Sequence, residues 1–144
     1  MTVYLESSAL LRRLLGEAGT IDGWGDWRRC YTSEITVVES LRAFDRLRLQ
    51  GKLEDAEVSL MRKSLKRALE SIGLIALNPA VLNRASQAFP TVVGTLDAIH
   101  LASVLMYADK RKVQPVFLTH DVRLGIAAQA LGLEVRGLAR DVLH

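Results

Sequence analysis

The sequence has one cysteine, Cys30, in 144 residues, so no internal disulfide can form and no thiolate cluster can hold zinc. No apolar run reaches the roughly 18 residues that a membrane helix needs, and no basic-then-apolar leader opens the chain. No membrane contact is therefore expected, and the cytoplasm is the default compartment. Repeats, low-complexity tracts and Pro/Gly-rich linkers are also missing, which predicts a single domain over residues 1–144. Charge of one sign does not dominate: 19 Lys and Arg stand against 16 Asp and Glu, a formal net charge of +3. That is a mild bias towards polyanionic partners.

The composition is that of an ordinary globular chain, with 49% hydrophobic and 24% charged residues. At this length about 68–70% of the unfolded surface can be buried. Basic residues gather at Arg12-Arg13, at Arg28-Arg29 and over residues 62–67, the last reading as a solvated helix face.

Periodicity divides the chain into alternating strands and helices. Residues 3–5 read as a strand and 9–15 as a helix, with Gly16 near its end. Residues 30–32 form a second strand candidate, and the segment 19–28 between them has room for a short helix. Ser33 is a plausible N-cap, with Glu34 in the first turn of a helix to about residue 50 whose apolar side carries Val38, Leu41 and Phe44 or Asp45. The clearest helix follows: Leu53, Ala56, Leu60, Met61, Leu65, Ala68 and Ile72 recur at three- and four-residue steps, with Gly73 as its stop. Residues 74–77 are a strand candidate. Asn78-Pro79 starts a helix that Pro90 ends. Residues 95–108 form another, then a strand at 115–119, a helix at 122–131 closed by Gly132, and a last strand at 133–135. Strands separated by helices predict an α/β fold, a parallel sheet covered on both faces. Ligands of such sheets bind beyond the carboxyl ends of the strands. Glu6 and Asp121 both stand there.

Four carboxylates stand out, and each has a bland alternative. Glu6 follows the first strand, where a turn residue helping Ser7 or Ser8 cap a helix would serve equally. Asp121 precedes a helix and suits an N-cap. Asp97 opens a helix whose dipole it would complement. Glu39 lies among Val37, Val38 and Leu41, where an unpaired carboxylate is costly to bury, or it faces solvent beside Arg42 or Arg46. Taken together, two strand ends and two helix starts on one side of a parallel sheet can converge. Four acids in one place repel one another unless cations neutralise them. An oxygen-rich, cysteine-free cluster suits Mg²⁺ or Mn²⁺, which points to phosphodiester hydrolysis.

The stretches YLESSAL, SEITVVESLRAF, GTLDAIHLASVL and FLTHDVRLGIAAQALGLEV resemble, in order and over essentially the whole chain, the four acidic motifs of PIN-domain ribonucleases. The nearest group is the VapC-type toxins of toxin–antitoxin pairs. That resemblance implies a PIN-like three-layer fold, a short parallel sheet flanked by helices on both faces. It implies a catalytic pocket of Glu6, Glu39, Asp97 and Asp121, with Glu6, Asp97 and Asp121 on the metal. Ser8 and Thr119 fall where the family has supporting hydroxyls. Mg²⁺ or Mn²⁺ dependence, an RNA substrate, a homodimer and a cognate antitoxin follow from the same likeness. Arg12 and Arg13, on the helix leaving Glu6, are candidates for contact with RNA or the antitoxin. The sequence departs from the family at its first acid, normally Asp and here Glu6, longer by one C–C bond or about 1.5 Å.

Three functions follow from these residues: a metal-dependent endoribonuclease of the toxin type; an inactive or slow RNA- or protein-binding module on the same fold, because of Glu6; and an unrelated phosphoryl-transfer or receiver-type protein. YLESSAL lacks the Asp-x-Asp of aspartyl-phosphate hydrolases, and no Lys follows the late strands in receiver fashion. The first reading is the expectation carried forward. His100 and His120 flank the acids and are secondary candidates for substrate contact. Trp24 and Trp27 are candidates for packing or base stacking.

Overall fold

The computed structural model describes residues 1–139. β1 (Thr2–Leu5) passes through one extended residue, Glu6, into α1 (Ser7–Leu14). β2 (Arg29–Ser33) leads directly into α2 (Glu34–Leu49), with Ser33 Oγ accepting from the Ile35 amide at 3.1 Å as the expected N-cap. There follow α3 (Asp55–Leu69), β3 (Gly73–Ile75), α4 (Pro79–Ala85), α5 (Thr95–Arg111), β4 (Val116–Leu118), α6 (Val122–Ala130) and β5 (Glu134–Arg136). Asn78 caps α4 through Val81 N at 2.9 Å, with Pro79 in the first turn.

All four strand pairings are parallel, in the order β3-β2-β1-β4-β5. The chain builds outward from β1 to β2 and β3, then returns to place β4 on the other flank of β1. That reversal makes the carboxyl ends of β1 and β4 the switch point of the sheet, where such folds open a crevice.

Successive residues of a strand point to opposite faces, and the two cores show it. Val3, Leu5, Val116 and Leu118 pack with Leu10, Phe44 and Leu65 of α1, α2 and α3. Tyr4 and Phe117 pack on the other face with Leu101, Val104, Leu124 and Ala127 of α5 and α6. α4 lies against α5. The result is the expected three-layer α/β arrangement, and the strands are apolar on both sides as buried parallel strands are.

Several boundaries and faces differ from the expectation. α1 begins at Ser7, because Glu6 itself caps it. α3 ends at Leu69, and Gly73 is the first residue of β3, not a stop; the Tyr31 ring lies over it, where a Cβ would sit 2.6 Å from the ring. α4 ends at Ala85, well before Pro90, and α5 runs on to Arg111. Residues 19–28 form turns and hold no helix. α2 turns Thr36, Ser40, Ala43 and Phe44 inward, leaving Val38 54% exposed, and Leu60 of α3 is likewise out at 58%. The inward stripe of α2 carries two hydroxyls under the crevice, so hydrophobicity alone misplaces its buried side.

Candidate active site

Pairing of Leu5 with Leu118 continues one step as Glu6 N donates to Leu118 O at 2.9 Å. This sets Glu6 against Thr119. Glu6 is buried, and its Oε2 accepts from Ser8 N at 3.1 Å, Ser8 Oγ at 2.5 Å and Thr119 Oγ1 at 2.7 Å. Both hydroxyls also accept: Ser8 Oγ from His120 N at 2.9 Å, and Thr119 Oγ1 from Asp121 N at 3.0 Å. The loop after β4 is thus tied to the first turn of α1 by the two hydroxyls flagged in the sequence. Gly137, at φ 109°, lets the end of β5 close on the Thr119 carbonyl, where a Cβ would collide.

Asp121 caps α6, its Oδ1 accepting from Leu124 N at 3.1 Å. Capping and site membership are therefore compatible for both Glu6 and Asp121. Each spends one oxygen on a helix N-terminus, and the other has no hydrogen bond among the described residues. Glu39 follows the same pattern. Its Oε1 accepts from Ser7 Oγ at 2.7 Å and His100 Nε2 at 2.6 Å, and its Oε2 has no such partner. The sequence alternative that paired Glu39 with Arg42 or Arg46 is overturned, since Arg42 binds Asp45 and Glu39 turns inward to His100. Asp97, half-buried in the first turn of α5, makes no side-chain hydrogen bond among the described residues.

The acids influence one another electrostatically. Burial raises the Asp97 carboxyl above its ordinary range, and the Asp121 and Glu6 carboxylates push it further. Burial acts the same way on Glu39, but the His100 and Ser7 hydrogen bonds outweigh it and hold the group below its ordinary range. Among the described residues no Lys or Arg pairs with any of the four. Among the described residues the only cation-capable partner is His100 on Glu39.

His120 Nδ1 donates to Gly137 O at 2.7 Å, and burial lowers its pKa. Arg12 reaches the Gly19 carbonyl at 3.4 Å, and Arg13 lies over the Trp24 ring at 5.5 Å. Trp24 and Trp27 meet edge to face at 5.2 Å and lean on the helical core beside Ile21, the packing alternative. Sequence reasoning did not find Ser7, Tyr4 or the pairing of His100 with Glu39. The doubled serine after Glu6 was the one local signal.

The donor set fits a hard divalent cation: carboxylate oxygens with no sulfur, those of Glu6, Glu39 and Asp121 each oriented through the other oxygen. No three His, Cys, Asp or Glu side chains stand together as a ready metal cage among the described residues. The fit is thus to an ion that keeps several waters and takes one or two carboxylates, as Mg²⁺ does.

No family model matches the sequence. Ribonuclease VapC47 of Mycobacterium tuberculosis (strain CDC 1551 / Oshkosh) is 27% identical over 137 residues, covering 90% of this chain and 92% of that protein. Two solved structures share the fold. One is a toxin–antitoxin complex from Klebsiella pneumoniae, with TM-score 0.60 and 14% identity over 93% of this chain and 95% of the other. The second is VapBC2 from Rickettsia felis bound to a DNA fragment from its promoter, with TM-score 0.62 and 9% identity over 94% and 98%. The chain is therefore similar, over nearly its whole length, to a VapC ribonuclease, in agreement with the four-motif resemblance.

Proposed function

We propose that the chain is a toxin-type endoribonuclease that hydrolyses RNA phosphodiesters, is restrained by a cognate antitoxin protein and depends on Mg²⁺ or Mn²⁺. The observation that supports this reading is the set of carboxylates at the switch point, where Glu6, Glu39 and Asp121 each have one oxygen engaged by the protein and the other unpaired among the described residues. A monomeric core does not need such an arrangement, because gathering like charges costs stability. The similarity to a VapC ribonuclease supports the choice of substrate, and the fold shared with toxin–antitoxin complexes supports the antitoxin. In the same reading the chain acts in the cytoplasm as a homodimer.

Glu6 and Asp97 would hold the cation directly, and Asp121 through one of its waters. When bound, it neutralises the cluster, acidifies a water and stabilises a leaving oxygen. Glu39 is charged at neutral pH, since its hydrogen bonds hold its carboxyl below the ordinary range. Its Oε2 accepts the proton of the attacking water as the new P–O bond forms and the bond to the leaving oxygen breaks. Ser8 and Thr119 keep Glu6 oriented throughout. The longer Glu6 side chain is accommodated by three donors on one oxygen, so its extra length does not leave it loose.

The test is cleavage of structured RNA by the purified chain with Mg²⁺ or Mn²⁺, with and without excess EDTA. Metal-dependent internal cleavage is expected. Undiminished cleavage in chelator removes the metal, and no cleavage with either ion removes the enzyme.

A further inference from the structure

We infer that His100 is a positioning residue: its Nε2–H, locked in place by the Tyr4 hydroxyl on Nδ1, fixes Glu39 so that Oε2 alone faces the substrate. This rests on the reading of Glu39 as proton acceptor. The imidazole is fully buried, with Tyr4 Oη 2.7 Å from Nδ1 and Glu39 Oε1 2.6 Å from Nε2. A carboxylate can only accept, so the proton at the shorter contact belongs to Nε2. Tyr4 is buried against the ring, and its hydroxyl has one proton to give. The tautomer protonated on Nε2 alone, with the Tyr4 hydroxyl donating to Nδ1, satisfies both contacts.

The remaining hydroxyls fall into place around this pair. Thr32 Oγ1 donates to Leu5 O at 2.5 Å, so Thr36 Oγ1, 2.7 Å away, donates to Thr32. Ser7, with Thr36 3.2 Å off, directs its proton to Glu39 Oε1 at 2.7 Å. Two donors thus converge on one oxygen of Glu39 and, among the described residues, none on the other.

The origin of the constraint is the central strand. Tyr4 stacks on Phe117 with centroids 5.3 Å apart and planes 5° apart, so the β1–β4 pair sets where its hydroxyl stands. β1 consequently holds one acid directly, at Glu6, and a second through Tyr4 and His100. A buried histidine satisfied only for packing would explain the Tyr4 contact, but it does not require that Nε2 and Ser7 choose the same oxygen of an otherwise unpaired carboxylate.

The experiment combines nitrogen-15 NMR of labelled histidine in the metal-free protein with kinetics of three variants. The His100 signal, assigned by its loss in His100→Gln, is expected to show protonation at Nε2 and a bare Nδ1. His100→Leu keeps bulk and removes the donor, so kcat should fall about 10- to 100-fold, the usual loss for an orienting partner, with KM for RNA nearly unchanged. His100→Gln restores a donor near the Nε2 position and should recover most of that loss. Tyr4→Phe keeps the stack on Phe117 and should lower kcat without changing KM, carrying the kinetic test if the Leu variant does not fold. A proton on Nδ1 with Nε2 bare overturns the inference. So does a folded His100→Leu or Tyr4→Phe variant with parental kcat, or a Gln variant no better than Leu. A parent that cleaves no RNA removes the proposed function instead, and the tautomer then still decides the His100–Glu39 pairing.

Discussion

Thr119 and Glu6, 113 residues apart in the chain, meet at 2.7 Å where β4 and β1 end side by side. The Thr119 hydroxyl also accepts from the Asp121 amide at 3.0 Å, so one buried oxygen joins the first and last acids of the cluster.

Thr119→Val keeps the shape and removes both hydrogen bonds. The Asp121 amide loses its acceptor and Glu6 one of three donors, so stability should fall by about 1–3 kcal/mol, the cost of stranding buried polar groups. Mn²⁺ affinity should fall about 10- to 100-fold if Thr119 orients a ligand. Denaturant melts and Mn²⁺ titration measure the two effects separately. A stability loss with parental Mn²⁺ affinity would make Thr119 purely structural.

Asp97→Asn should abolish cleavage, by more than the roughly 100-fold typical of losing an orienting partner, while the fold survives. The variant also has a pH signature. Because the Asp97 carboxyl is held above its ordinary value of 3.8, the folded metal-free protein binds that proton more tightly than the unfolded chain. The associated stability is present below 3.8 and lost as pH rises through the raised value. Asn cannot ionise, so Asp97→Asn should gain on the parent as pH climbs through that window. Parallel stability-versus-pH curves would remove the repulsion argument.

Substitutions at Glu6 separate ligation from capping. Glu6→Gln retains an acceptor for Ser8 and Thr119 but loses charge, so Mn²⁺ binding and cleavage should drop together with little change in melting. Glu6→Asp draws the oxygen back by about 1.5 Å while remaining a good cap, and should preserve or raise Mg²⁺-dependent cleavage. Weaker metal binding by the Asp variant would mean that the pocket is built for the longer side chain. Equal affinities for parent and both variants would take Glu6 out of the site.

Cys30 gives a simple check on the core. Burial pushes its thiol up to about 12, and no second cysteine exists. The folded protein should therefore resist a thiol-specific reagent near pH 8 and react fully only when unfolded. Rapid reaction in the native state would contradict the packing of β2 against α3.

What the sequence determined by itself was local and ordered. Strand–helix alternation predicts a parallel sheet, because two- and 3.6-residue periods are written within a few residues. Ser33 and Asn78-Pro79 announce helix starts through contacts two or three residues away. The four acids follow in sequence order, so their resemblance to a family is visible without coordinates. What only the tertiary structure decided spans long separations. Alternation does not say that β4 lies against β1, and that neighbour relation alone brings Thr119 to Glu6. His100 reaches Glu39 across 61 residues and Tyr4 across 96, pairings no local period encodes. Hydrophobicity misplaces the buried side of α2 because its inward stripe includes Thr36 and Ser40, whose burial their polarity argues against. The Thr36 hydroxyl lies under the crevice because the neighbouring helix and strand supply Ser7 and Thr32, partners that exist only once the sheet has assembled, while Ser40 Oγ is buried with no hydrogen bond among the described residues.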